Sequence, residues 1–146
     1  MSRKNVIILT TGLSGSSFFA KLFINKGYWA GEQTIVKNNY SGNYNTYENQ
    51  RLVELNEQLL AEVNIDIRET DQFSIKNYEK VLALLHTVNL QPYVEFLNLC
   101  EQHKPWVWKD PRLILTFGFW LRLINIDNCK FIYVRRKSWN LWVSYI

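Results

Sequence analysis

The feature that most constrains this chain is a change of period close to its start. The apolar run Val6 to Leu9 leads through Thr10-Thr11-Gly12-Leu13-Ser14-Gly15-Ser16-Ser17 into a segment with Phe18, Phe19, Leu22 and Phe23 at helical spacing. A short apolar run bounded by small residues reads as a buried strand over Asn5 to Thr10, and the segment after it as a helix from Gly15 to Lys26, closed by Gly27. The order recurs: Trp106 to Lys109 reads as a strand, Ile114 to Ile124 as a helix, Lys130 to Val134 as a strand and Trp139 onward as a helix. Strands alternating with helices need right-handed crossovers onto a parallel sheet, so the pattern predicts an α/β fold.

Between these units lies a largely helical stretch. Glu48 to Val63 carries Leu52, Leu55, Leu59 and Leu60 on one helical face, and Ile75 to Gln102 holds one or two further helices. Pro92 marks the break between them, because it lacks the N–H an internal turn requires. Asn38 to Asn45, all Asn, Tyr, Ser and Gly with no apolar period, is expected to be a mobile loop. Trp106, Trp108, Trp120, Trp139 and Trp142 fall in strand and helix patterns and are expected in the core, leaving Trp29 for ligand stacking.

With 146 residues, 47% of them hydrophobic, the chain has one domain's worth of core and neither internal repeat nor low-complexity tract. Its net charge of +4 suits a small anionic ligand at least as well as nucleic acid, and no nucleic-acid partner is expected. Cys100 and Cys129 make no disulfide framework, and His86 and His103 share no ligand-like spacing with them. The expectation is therefore a reducing, cytoplasmic location and no metal site. Val6 to Leu9 is about half the length of a signal-peptide core. Leu113 to Ile126 is interrupted by Arg122 and falls short of the roughly 20 residues a membrane span needs.

Three segments carry candidate chemistry. The turn Gly12 to Ser17, between strand and helix, is built to turn backbone N–H groups and a positive helix end toward an anion; an ordinary turn with Ser14 or Ser16 as N-cap is the alternative. Phe131 to Val134 runs into Arg135-Arg136, and Ser144 follows Arg136 by eight residues, two helical turns on. An arginine fork takes two phosphate oxygens at once, although both arginines could equally be solvated at a strand end. In Lys109-Asp110-Pro111-Arg112 the proline ends the strand, so two cations and a carboxylate collect at the sheet's carboxyl edge, either in a site or as a surface ion pair.

Together these segments resemble the PAPS-dependent sulfotransferases of bacterial type. Ser14-Gly15-Ser16-Ser17 is similar to the Ser-Gly-Thr-Thr/Ser core of the family's 5′-phosphosulfate loop, Arg136 and Ser144 to its 3′-phosphate pair, and Lys109-Asp110-Pro111-Arg112 to its Lys-Asp-Pro-Arg stretch. The resemblance implies a P-loop NTPase-like three-layer fold, with a central parallel sheet flanked by helices and a helical insertion over about residues 46–103. It also implies transfer of a sulfuryl group from 3′-phosphoadenosine-5′-phosphosulfate (PAPS), which leaves adenosine 3′,5′-bisphosphate, to a small-molecule or glycan hydroxyl or amine. Gly12, Leu13, Ser14, Gly15, Ser16, Ser17, Arg112, Arg136 and Ser144 would then bind the donor. Glu32 matches the carboxylate that follows the first helix in some members, making it the candidate base, with Asp110 the second.

The family's basic residue before the Ser-Gly pair is Leu13 here, which leaves Lys109 or Arg112 to supply the charge. The family also runs well past its 3′-phosphate serine, so residues 1–146 are expected to be the front portion of one domain. A nucleotide kinase or hydrolase of the Walker type would need a lysine before Ser16 or Ser17, and none is present. A non-catalytic remnant of the fold is the other alternative.

Overall fold

The computed structural model describes residues 2–11, 15–66 and 74–135. Among them β1 (Asn5–Thr10) is central, with β4 (Val107–Lys109) and β5 (Cys129–Val134) parallel to it on either side. The register sets Ile8 beside Lys109 and Thr10 beside Val134. Beyond β4 the chain at Trp29 adds one more parallel bridge, the Trp29 N–H donating to the Pro105 carbonyl and the Val107 N–H to the Trp29 carbonyl, both at 2.9 Å.

Side chains alternate across the sheet, so a strand apolar at every position must be covered on both faces. Val6, Ile8, Val107 and Val134 pack with Ala20 of α1 (Ser16–Asn25). Ile7, Trp106 and Trp108 join the larger core built by α2 (Gln50–Glu62), α4 (Gln91–Gln102) and α5 (Leu113–Leu121). The result is a mixed α/β architecture in which helices flank a three-stranded parallel sheet. Trp106, Trp108 and Trp120 are buried as expected, and α5, apolar on nearly every side, is enclosed on nearly every side. Among the described residues no helix is long and apolar enough to cross a membrane.

Pro92 lies in the first turn of α4, where the missing N–H has no helical partner to lose; α3 (Ile75–Ala83) and a 3-10 turn at Leu84–His86 precede it. His86 is exposed.

Two expectations are corrected. Asn38 to Asn45 belongs to an antiparallel hairpin, β2 (Thr34–Asn39) with β3 (Gly42–Asn49), rather than a loop. Its order comes from polar bonds that apolar periodicity does not register: Asn39 Oδ1 accepts from Ser41 N–H and Asn45 Oδ1 from Tyr47 N–H, both at 2.8 Å. Glu48 and Asn49 end β3 instead of opening α2, because the Asn49 carboxamide caps that helix, accepting from the N–H groups of Arg51 and Leu52. The expected helical insertion thus begins with strand.

Helix α1 packs by its small residues. The stripe Phe18, Phe19 and Leu22 is exposed, at 63%, 39% and 46%, while Ser16 and Ala20 face the sheet with Phe23 and Ile24 partly covered beside them. Small residues let a helix lie close on a sheet, and close packing decides here over apolar bulk. The segment from Trp139 onward lies outside the described residues.

Candidate functional site

The site collects at the carboxyl ends of β1 and β4. The chain leaves β1 through α1 toward the β4 side, and leaves β4 through α5 to the opposite side of β1. Open α/β sheets bind ligands at such a point of divergence, outside the carboxyl ends of their strands.

Lys109, the last residue of β4, is only 5% exposed. Its ammonium donates to Glu48 Oε1 at 2.9 Å, to the Thr46 carbonyl at 3.3 Å and to Ser17 Oγ at 3.3 Å. Three donors meet three acceptors, so the charge is fixed in place and links the end of β4, the inner end of β3 and the first turn of α1. Because Ser17 accepts from Lys109, its hydroxyl hydrogen remains available for a bond of its own.

Gly15 caps α1 in the left-handed conformation, φ 79°, a backbone region that favours glycine. Among the described residues no side chain caps this helix start, and its first turn holds no acidic residue. The positive end of a helix therefore stands beside a buried ammonium, with Glu48 as the compensating carboxylate. Glu48 is 2% exposed, and its second oxygen, Oε2, is buried without a hydrogen-bond partner among the described residues.

Asp110 and Arg112 form a second network just beyond. Asp110 is fully buried; its Oδ1 accepts from the Arg112 backbone N–H and from Nη1, and its Oδ2 from Asn56 Nδ2 at 2.8 Å. Asn56 Oδ1 in turn accepts from the Trp120 indole. Arg112 Nη2 reaches Glu57 at 3.0 Å. Burial pulls the Arg112 pKa down, but Asp110, Glu57 and Glu48 more than offset it, and the guanidinium is held above its ordinary value. Its terminal nitrogens serve α2 and Asp110, so the group braces the strand end. Asp110 bonds Arg112 and Asn56 rather than Lys109.

Glu32 sits apart. It is exposed and lines a cavity of about 450 Å³ shared with Trp29, Asn49, Arg51 and Glu54, outside the sheet edge. Trp29 stacks on His103 there, with ring centroids 4.6 Å apart. Gly12, Leu13, Ser14, Arg136 and Ser144 lie outside the described residues, as the chain ahead of α1 and after Arg135. Ser16 is buried at the start of α1.

Four residues of these networks escape sequence reading: Thr46, Glu48, Asn56 and Glu57. Glu48 reads as a helix residue and carries no local mark. Asn56 does carry one, since an amide flanked by Leu52, Leu55, Leu59 and Leu60 on the buried side of α2 needs a polar partner across the core.

No protein-family model, no curated protein and no solved structure matches this chain. Its chemistry rests on the residues just described.

Proposed function

We propose that the protein is a PAPS-dependent sulfotransferase on a P-loop α/β fold, moving a sulfuryl group to a hydroxyl or amine acceptor. The observation that carries this reading is the contact between Lys109 Nζ and Ser17 Oγ. The family's loop cation is replaced by Leu13, and a buried lysine from the adjacent strand delivers the charge to the same loop. An uncapped helix start without acidic residues, a serine hydroxyl polarised by an ammonium and a strand-end location fit the phosphosulfate end of the donor.

PAPS supplies an activated sulfuryl group whose departure leaves charge on a phosphate oxygen. The part of Ser17 is to donate to that anion, with Lys109 reinforcing the donor through its hydroxyl. Glu48 and Thr46 hold Lys109, and Asp110 with Asn56 and Arg112 fixes the strand end that carries it. Arg136 and Ser144 would take the 3′-phosphate, and positioning supplies the rest, as in phosphoryl transfer. Free buried thiols at Cys100 and Cys129 suit the cytoplasm.

The test is calorimetric titration with adenosine 3′,5′-bisphosphate beside ADP with magnesium. The bisphosphate is expected to bind more tightly, and Arg136→Ala to lose about tenfold or more, as for a charged hydrogen bond worth about 1.5–3 kcal/mol. Preference for magnesium ADP would mark a kinase or hydrolase; a folded chain that binds neither would be a remnant without a nucleotide site.

A further inference from the structure

We infer that the cavity beside Trp29 binds a small organic ammonium ion, a primary amine carried on an apolar or aromatic body. The inference does not rest on the sulfotransferase reading. At about 450 Å³ the cavity has the size of a small-molecule site, and such sites join an apolar lining to a few well-placed polar groups. Trp29, Phe96 and Leu99 supply apolar walls, and the charged groups of the lining are Glu32, Arg51 and Glu54.

These charges do not balance. Arg51 Nη1 donates to Glu54 Oε2 at 3.1 Å and Gln50 Nε2 donates to Glu54 Oε1 at 3.2 Å, so Arg51 and Glu54 already serve each other. Glu32 is exposed, and its carboxylate has no partner among the described residues. The lining therefore keeps one negative charge, on oxygens that a ligand can reach. An anion is repelled there, and a neutral molecule leaves the charge unused. A cation with an apolar body engages both the carboxylate and the walls.

The walls are also fixed in advance. The Trp29 N–H donates to the Pro105 carbonyl and the Trp29 carbonyl accepts from the Val107 N–H, both at 2.9 Å. His103, which does not line the cavity, stacks on the indole. Gly31 turns the chain at φ 127°, and a Cβ there would meet the Asn49 carboxamide at 2.7 Å, so glycine lets Glu32 lie against the cap of α2. On the far side of Glu32 the Gln33 carbonyl accepts from the Gln50 N–H at 3.0 Å. The backbone is thus held before and after Glu32, which lowers the ordering cost of binding.

The probes are 2-phenylethylamine, 2-phenylethanol and phenylacetate, which share a phenyl body and differ in charge. NMR titration of the full chain follows the Trp29 indole N–H resonance, assigned with Trp29→Phe. The amine is expected to shift it with a dissociation constant of about 1 mM, as suits so small a ligand. The alcohol should bind about fivefold more weakly, the margin of a solvent-exposed ion pair, and phenylacetate more weakly still. Glu32→Gln removes a charge from an exposed side chain; it should bring the amine down to the affinity of the alcohol and leave the alcohol unchanged. Added salt should narrow the same gap in the wild type.

An alcohol that binds the wild type as tightly as the amine, or an amine affinity that Glu32→Gln does not lower, overturns the proposal. A Trp29 resonance that the amine does not move at about 10 mM overturns it as well. None of these outcomes bears on bisphosphate binding, which tests the sulfotransferase reading separately.

Discussion

An ammonium and a carboxylate removed from water are held together by their mutual attraction and by the bonds each makes to its surroundings. Lys109 and Glu48, 5% and 3% exposed at their side chains, are such a pair. Removing one partner strands the other, which typically costs about 3–5 kcal/mol, whereas replacing both by apolar groups is often neutral. Lys109→Met is therefore expected to lower the unfolding free energy in urea by about that amount. Lys109→Met combined with Glu48→Leu should recover most of it, a coupling that a double-mutant cycle reads directly. Equal losses in the single and double variants would mean that the pair is not what holds β3 to β4. None of this was legible at Glu48 in the sequence, because its partner is 61 residues away and the residue sits next to a helix cap. Lys109 was legible for a local reason: Pro111 stops the strand and pins the charged cluster to its carboxyl end.

At the scale of elements, the central strand was the most readable part. Buried on both faces, β1 needs an uninterrupted apolar run, and it falls on Asn5–Thr10 as its run predicts. Helix α1 was readable as a helix but not in its orientation. Phe18, Phe19, Ala20, Leu22, Phe23 and Ile24 are apolar on nearly every side, so period alone ranks no face above another. The packed face is the one whose side chains are small. Phe18→Ser, at an exposed position, should accordingly change stability by no more than about 0.5 kcal/mol. Ala20→Leu should cost about 1–3 kcal/mol, since Ala20 is fully buried and extra methylenes have no room against Val6, Ile8 and Val107. Thermal denaturation of the two variants decides between the faces, and the reverse order of effects would refute the packing described. The hairpin was missed because Asn39, Asn45 and Thr46 hold it through bonds to the backbone, and those leave no apolar alternation to read.

The larger core, on the side of the sheet away from α1, ties the whole molecule to a pH dependence. Cys100 of α4 is fully buried there, and burial is the main force that pushes its thiol from 9.0 up to about 12. Cys129, at the start of β5, is pushed up to about 11 for the same leading reason, and burial also raises the Tyr93 hydroxyl. Below pH 9 the thiols are protonated whether the chain is folded or not, and they contribute no slope. Above it the unfolded chain gives up these protons while the folded one keeps them. The unfolded state then binds fewer protons than the native state, so unfolding free energy falls as pH rises. For one thiol the slope approaches about 1.4 kcal/mol per pH unit and ends once pH passes the folded value near 12. Cys100→Ala removes one such thiol without adding charge. Its cost should be greatest near neutral pH and should shrink as urea unfolding is repeated at increasingly alkaline pH. Parallel stability curves for the variant and the wild type would instead mean that the thiol ionises as readily inside the core as outside it. The core would then have to admit water at Cys100, beside Trp108 of β4.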